Sequence, residues 1–234
     1  MEAPKKEKII GILGGMGPLA TLHLFRKIIE STPAKKDQDH LRIIIDNNPK
    51  IPDRTQSILN SDKKIISHLI ESAKNLEMGG AHCIVIPCNT SHCYLEEIQK
   101  NITIPVLNMI RLTLESINND RRDIGLLATN GTLKKKVYQE YDAQQNINWI
   151  TLNETEQKIL MNLIYKIKAG KRYQDSRDTF RKLLSSLKKK GAESIILACT
   201  ELSLFKDMFD HEFKLIDPIE TVALEAIKLA KSIA

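Results

Sequence analysis

Nothing in these 234 residues stays apolar for long. The run nearest the N-terminus, residues 9–13, follows the polar stretch MEAPKKEK. It falls far short of the roughly 20 apolar residues of a membrane helix, and it is too brief for the core of a signal peptide. No membrane partner is expected, and a cytoplasmic setting follows. Aromatics are scarce at 5%, with a single tryptophan. The formal net charge of +6 is carried largely by lysine, in runs such as 134–136 and 188–190 on amphipathic stretches. No aromatic side chain is interleaved there to stack on a base, so these runs read as solvated faces and nucleic acid is not an expected partner. Cysteine is sparse as well. Cys83, Cys88 and Cys93 are spaced by five, not in the tight CxxC pattern of zinc sites, and no histidine pair completes a ligand set. No metal site is expected. In a reducing compartment the four cysteines are either core filler or thiol chemistry.

What the chain does contain is alternation. Short β-branched runs at 8–13, 41–47, 82–87, 104–107, 123–128, 147–151, 194–198 and 213–216 predict strands. Helical patterns lie between them, for example 62–78, where Ile65, Ile66, Leu69, Ile70, Ala73 and Leu76 recur at helical spacing. Strand and helix in this order predict an α/β protein with mostly parallel sheet flanked by helices. Ligands of such sheets sit beyond the carboxyl ends of the strands.

The chain also repeats itself. KIIGILGGMGPL (8–19) resembles RDIGLLATNGTL (122–133), and GGAHCIVIPCNTSH (79–92) resembles KGAESIILACTELS (190–203). Gly125 lies 114 residues after Gly11, and Cys199 lies 111 residues after Cys88. Two similar, pseudo-symmetric α/β halves are the most economical reading, 1–108 and 109–217, with a C-terminal helix (218–234) packing back on the first. The active site is expected in the cleft between them.

One buried cysteine is ordinarily a small hydrophobe. Two at matching strand ends, each followed closely by threonine, are harder to ascribe to packing. Helix N-termini favour thiolates. One thiolate and one thiol on opposite faces of a carbon make a base and an acid, which can invert that carbon and then exchange roles.

At this point the sequence resembles a known family, the cofactor-independent aspartate/glutamate racemases, and most closely their aspartate racemase branch. The resemblance runs through GILGGMGPLAT (11–21), NNPKIPDRT (47–55), PCNTSH (87–92), LLATNGT (126–132), KIKAG (166–170), ACTEL (198–202) and IDP (216–218). It implies racemisation of a small acidic amino acid without pyridoxal phosphate or metal, by a homodimer. Cys88 and Cys199 match the family's catalytic thiols. Arg54 matches a carboxylate-binding arginine, and Lys168 resembles the lysine that holds the other carboxylate. Asn89, Thr90 and Thr200 would grip the substrate, and Met16 would line its pocket. Related glutamate racemases carry histidine where this chain has Glu201, which favours aspartate and leaves the group assisting Cys199 open.

Several features have plainer readings. The first loop fits GxGxxA at 15–20, but Asp46, which ends the second strand, stands 31 residues after Gly15 rather than the roughly 20 of a dinucleotide fingerprint. A tight turn admitting a small anion explains the loop, with Pro18 at a first helical turn. His92, four residues after Cys88, is either a structural hydrogen-bonding group or a proton carrier. Cys83 and Cys93 read as packing. Other chemistries remain open on this pattern: racemisation or isomerisation of glutamate, a hydantoin or maleate, a dicarboxylate-binding protein without catalysis, or a nucleotide-linked oxidoreductase.

Overall fold

The computed structural model describes residues 7–117, 123–142 and 147–232. The first half runs β1 (Ile10–Gly14), α1 (Pro18–Ser31), β2 (Ile43–Asn47), α2 (Arg54–Leu59), α3 (Lys64–Met78), β3 (Cys83–Val85), α4 (Leu95–Gln99) and α5 (Met109–Glu115). The second half runs β4 (Asp123–Leu126), α6 (Asn130–Lys134), β5 (Asn148–Ile150), α7 (Glu154–Lys168), α8 (Arg177–Lys189), β6 (Ser194–Ile196), α9 (Lys206–Phe209), β7 (Leu215–Ile216) and α10 (Pro218–Lys231). Among the described residues no helix is long and apolar enough to cross a membrane.

Two parallel sheets result, ordered β2-β1-β3 and β5-β4-β6-β7. β1 and β4 hold corresponding inner positions, and every residue of β1 is buried. That burial explains why IGILG reads as a continuous apolar run and not an alternating one. The edge strand β2 is only partly covered. The two sheets flanked by helices are the α/β halves that the repeat predicts.

The expected strand at 104–107 is a correction. It is reduced to an isolated bridge between Ile84 and Val106, held by Ile84 N–H to the Pro105 carbonyl (2.9 Å) and Leu107 N–H to the Ile84 carbonyl (2.8 Å). Pro105 has no N–H to donate, so the ladder cannot extend there. The bridge still occupies the place that β7 takes in the other sheet.

Helix starts follow local chemistry. Pro18 and Pro218 sit in the first turns of α1 and α10, Asp53 caps α2 by accepting from Gln56 N–H, and Asn153 with Glu156 forms a capping box on α7. The last helix, α10, buries Ile219, Val222, Ala223 and Ala226 against Ile10, Ile12, Leu24 and Val85 of the first half. α5 lies between the halves: Met109 joins that cluster, while Ile110 and Leu114 pack with Ile124 and Leu126 of the second sheet.

Candidate active site

The loop after β1 begins with a residue that only glycine can be. Gly15 has φ +90°, and a Cβ there would sit 2.3 Å from the carbonyl carbon of Asn48. Met16 follows, fully buried, its sulfur accepting a hydrogen bond from Ser91 Oγ at 3.1 Å. The Met16 carbonyl accepts from Arg54 Nη2 at 2.7 Å. Arg54 opens α2 and is itself buried. Its Nη1 donates to the Pro52 and Ile51 carbonyls at 3.0 and 3.3 Å. Three backbone carbonyls therefore clamp the guanidinium. Its Nε is buried and has no hydrogen-bond partner among the described residues. On a planar guanidinium the Nε–H and the outer Nη2–H share one edge, the fork that matches a carboxylate.

Cys88 lies between β3 and a 3₁₀ turn over Asn89–Tyr94. It is buried, as is every residue from Asn89 to His92. Asn89 accepts from the Tyr138 hydroxyl through Oδ1, while its Nδ2 is buried without a partner among the described residues. Thr90 forms a triangle of hydroxyls with Thr129 (3.0 Å) and Thr132 (2.9 Å), which themselves stand 3.1 Å apart. Gly131, between those two threonines, is so close to the first half that a Cβ would meet Thr55 at 3.0 Å.

His92 settles into the structural role. Met109 N–H donates to its Nε2 at 3.2 Å, so the ring proton is on Nδ1, which donates to the Cys88 carbonyl at 2.9 Å. Burial lowers its pKa to about 4, and the ring is neutral near pH 7. It braces the backbone of Cys88 and has no free nitrogen for proton transfer.

Cys199 follows β6 as Cys88 follows β3. Its Sγ donates to Glu201 Oε2 at 3.1 Å, and both residues are buried. Burial first, then the Glu201 charge and its hydrogen bond, push the Cys199 thiol well above its ordinary range; Lys168 opposes them. Glu201 Oε1 has no hydrogen-bond partner among the described residues and lies 4.0 Å from Lys168 Nζ, at the end of α7. Burial works against the Lys168 ammonium, but Glu201 and Cys199 outweigh it and hold it charged above the usual lysine range. Lys168 also feels the charges of Arg54 and Cys88. Across the cleft, a Cβ on Gly17 would meet Glu201 Oε1 at 3.0 Å and Lys168 Cγ at 3.9 Å. Thr200 donates to the Pro87 carbonyl at 3.0 Å, tying the residue after one cysteine to the residue before the other.

The eight residues singled out from sequence therefore divide. Cys199 and Lys168 both meet Glu201, the loop of Met16 and Gly17 packs against that pair and accepts from Arg54, and Cys88 acts electrostatically on Lys168 and Cys199. Thr90 and Thr200 spend their hydroxyls joining the halves, and Asn89 has its amide nitrogen uncommitted. Cys83 lies in a core cluster and half-buried Cys93 packs against one, and burial raises their thiols to about 11 and 12. Tyr138, Thr129 and Thr132 escaped the sequence reading. Thr129 had a detectable signal, since it caps α6 by accepting from Thr132 N–H. Tyr138 had none.

Comparison with known proteins adds four findings. A family model described as Asp/Glu/hydantoin racemase matches residues 13–226. An aspartate racemase structure from Picrophilus torridus superposes with a TM-score of 0.86 at 30% identity, covering 97% of this chain and 96% of that one. A broad-specificity amino-acid racemase of Bacillus subtilis is 28% identical over 223 residues (94% of this chain, 96% of the relative), and a glutamate racemase of Geobacter metallireducens is 27% identical (92% and 77%).

Proposed function

The chain belongs to the Asp/Glu/hydantoin racemase family, and from that premise we propose that it interconverts L- and D-aspartate with Cys88 and Cys199 as paired base and acid. The observation that carries this reading is the placement of two thiols at the ends of corresponding strands, β3 and β6, in turns tied to each other by Thr200 donating to the Pro87 carbonyl. In this reading the chain divides into halves 1–108 and 109–217 with the site between them, α10 joining the first half on which it packs although it follows the second in the chain.

In this scheme one thiolate takes the α-proton: the C–H bond breaks and an S–H bond forms. The opposite thiol gives its proton to the far face of the same carbon and becomes the thiolate. Charge and protons balance, and the reverse reaction starts from the exchanged state. Cys199 rests as a thiol, because burial and Glu201 both disfavour its charge. By the family likeness Cys88 takes the proton of the D-enantiomer and Cys199 that of the L-enantiomer, each thiol serving as the acid when the other is the base. Arg54, whose Nε–H is uncommitted, takes one substrate carboxylate and Lys168 takes the other, with Asn89 Nδ2 as a further uncommitted donor. Met16 lines the pocket, and Thr90 and Thr200, whose hydroxyls are committed between the halves, grip the substrate through their backbone N–H groups. Aspartate is favoured over glutamate by the likeness to the aspartate racemase and by Glu201 in place of the histidine of the glutamate branch. Association as a homodimer and residence in the cytoplasm, where thiols stay reduced, rest on the family likeness and on this chemistry.

The test is deuterium uptake at the α-carbon of L- and D-aspartate in deuterated water, with glutamate in parallel. Cys88→Ala and Cys199→Ala should each lower racemisation by at least the roughly 10²–10⁴-fold that a positioned acid or base supplies. A doubly substituted protein that racemises as well as the parent would end the proposal; faster turnover of glutamate would move the substrate and leave the chemistry.

A further inference from the structure

Tyr138 takes no part in the reaction as described. It lies beyond α6 in the second half, fully buried, packed with Ile110, Leu114 and Leu126, its ring centroid 5.9 Å from that of Trp149. Phenylalanine would fill such a pocket equally well unless the hydroxyl has work to do. That hydroxyl reaches across to the first half and donates to Asn89 Oδ1 at 2.5 Å, with Thr113 of α5 beside it. Burial holds the phenol well above the usual tyrosine range, so it keeps its proton.

An amide side chain carries its carbonyl and its NH₂ on one carbon, so fixing the first fixes the second. With Oδ1 committed to Tyr138, Nδ2 is turned away from it. Nδ2 is buried, has no partner among the described residues, and belongs to the residue directly after Cys88. A donor in that condition is waiting for an acceptor that the described residues do not supply.

We propose that Tyr138 is a positioning residue for racemisation: its hydroxyl holds the Asn89 amide with the NH₂ presented to a substrate carboxylate beside Cys88. The inference rests on the reading of Asn89 as a substrate-binding residue. Without the hydroxyl the amide is free to turn over and present its oxygen, which repels a carboxylate. Because Tyr138 comes from the opposite half, the grip of Asn89 depends on the two halves being docked. The thiols are untouched, so the loss falls on binding.

The test is a double-mutant cycle on aspartate racemisation, with melting temperatures in parallel. Tyr138→Phe should raise KM about tenfold with kcat little changed, the signature of a lost binding contact to a charged group. Asn89→Ala should raise KM by at least as much, and adding Tyr138→Phe to it should raise KM no further. Replacing Tyr138 with para-aminophenylalanine restores a donor at the same place and should return KM toward the parent value, a measurement available even if the phenylalanine variant melts too low to assay. If Asn89→Ala leaves KM unchanged, the reading of Asn89 falls. If Asn89→Ala raises KM while Tyr138→Phe does not, or if the two effects add, the role of Tyr138 is overturned. A Tyr138→Phe protein that loses only melting temperature, or an aminophenylalanine variant with raised KM, overturns it too.

Discussion

Cys199 donates its thiol proton to Glu201, two residues along the same turn, at 3.1 Å. The carboxylate therefore stabilises the thiol and not the thiolate. Lys168, 4.0 Å from the other oxygen of Glu201, pulls in the opposite direction. Replacing Glu201 with glutamine removes the charge, keeps the shape, and leaves the pull of Lys168 on Cys199 unopposed by a carboxylate. The Cys199 thiol should then ionise at lower pH. Alkylation by iodoacetamide, followed at the Cys199 peptide by mass spectrometry across pH, should show its midpoint moving down. An unmoved or raised midpoint would mean that Glu201 does not set the ionisation of Cys199.

Two glycines of the first loop should respond differently to alanine. Gly15 has φ +90° and no room for a Cβ against Asn48, so Gly15→Ala should cost more than about 2 kcal/mol of stability, read from denaturant melts. Gly17 has an ordinary extended backbone, φ −115°. Its added methyl would press on Glu201 Oε1 at 3.0 Å, beside Lys168. Gly17→Ala should therefore stay within about 1 kcal/mol of the parent in stability while losing roughly threefold or more in kcat/KM, about 0.7 kcal/mol. Equal stability losses at both positions would contradict this assignment.

Acid should weaken the fold through His92. Its pKa falls from 6.5 to about 4 on burial, so between those values the unfolded chain binds more protons than the native one. Stability from this residue is complete above pH 6.5 and is lost as pH falls toward 4. At pH 5 the loss is about 2 kcal/mol. Asp217, raised by burial to about 6, works in the opposite sense over nearly the same window, whereas His23, lowered to about 4, adds to the loss. The contribution of His92 is isolated by comparison with His92→Gln. That variant should be less stable at pH 7.5 and should lose less on going to pH 5; parallel pH profiles of the two proteins would refute the account.

The hydroxyl triangle of Thr90, Thr129 and Thr132 joins the halves, and Thr129 also caps α6. Thr129→Val keeps the volume and removes both functions. The expected cost is about 1–3 kcal/mol, combining a lost cap with hydroxyls left short of a partner. Chemical denaturation measures it directly, and a value near zero would mean that the triangle contributes nothing to holding the halves.

Much of this protein was legible along the chain. The strand and helix order follows from local periodicity, and the doubled pattern around Cys88 and Cys199 announces two halves because each half folds on its own short-range instructions. Even the miss at 104–107 has a local cause, since Pro105 denies the ladder a donor. Other facts depend on which surfaces meet. His92 could be a proton carrier in sequence; only the docking of Met109 N–H on one nitrogen and the Cys88 carbonyl on the other makes it a brace. Glu201 was a residue of open role until the fold set it between a thiol and a lysine. Tyr138 carried no signal, because its partner lies 49 residues away in the other half. Periodicity and caps are written in neighbouring residues, so the sequence determined the two α/β halves and where their thiols sit. Hydrogen bonds across the seam exist only once two surfaces are pressed together, so the tertiary structure alone decided what faces those thiols.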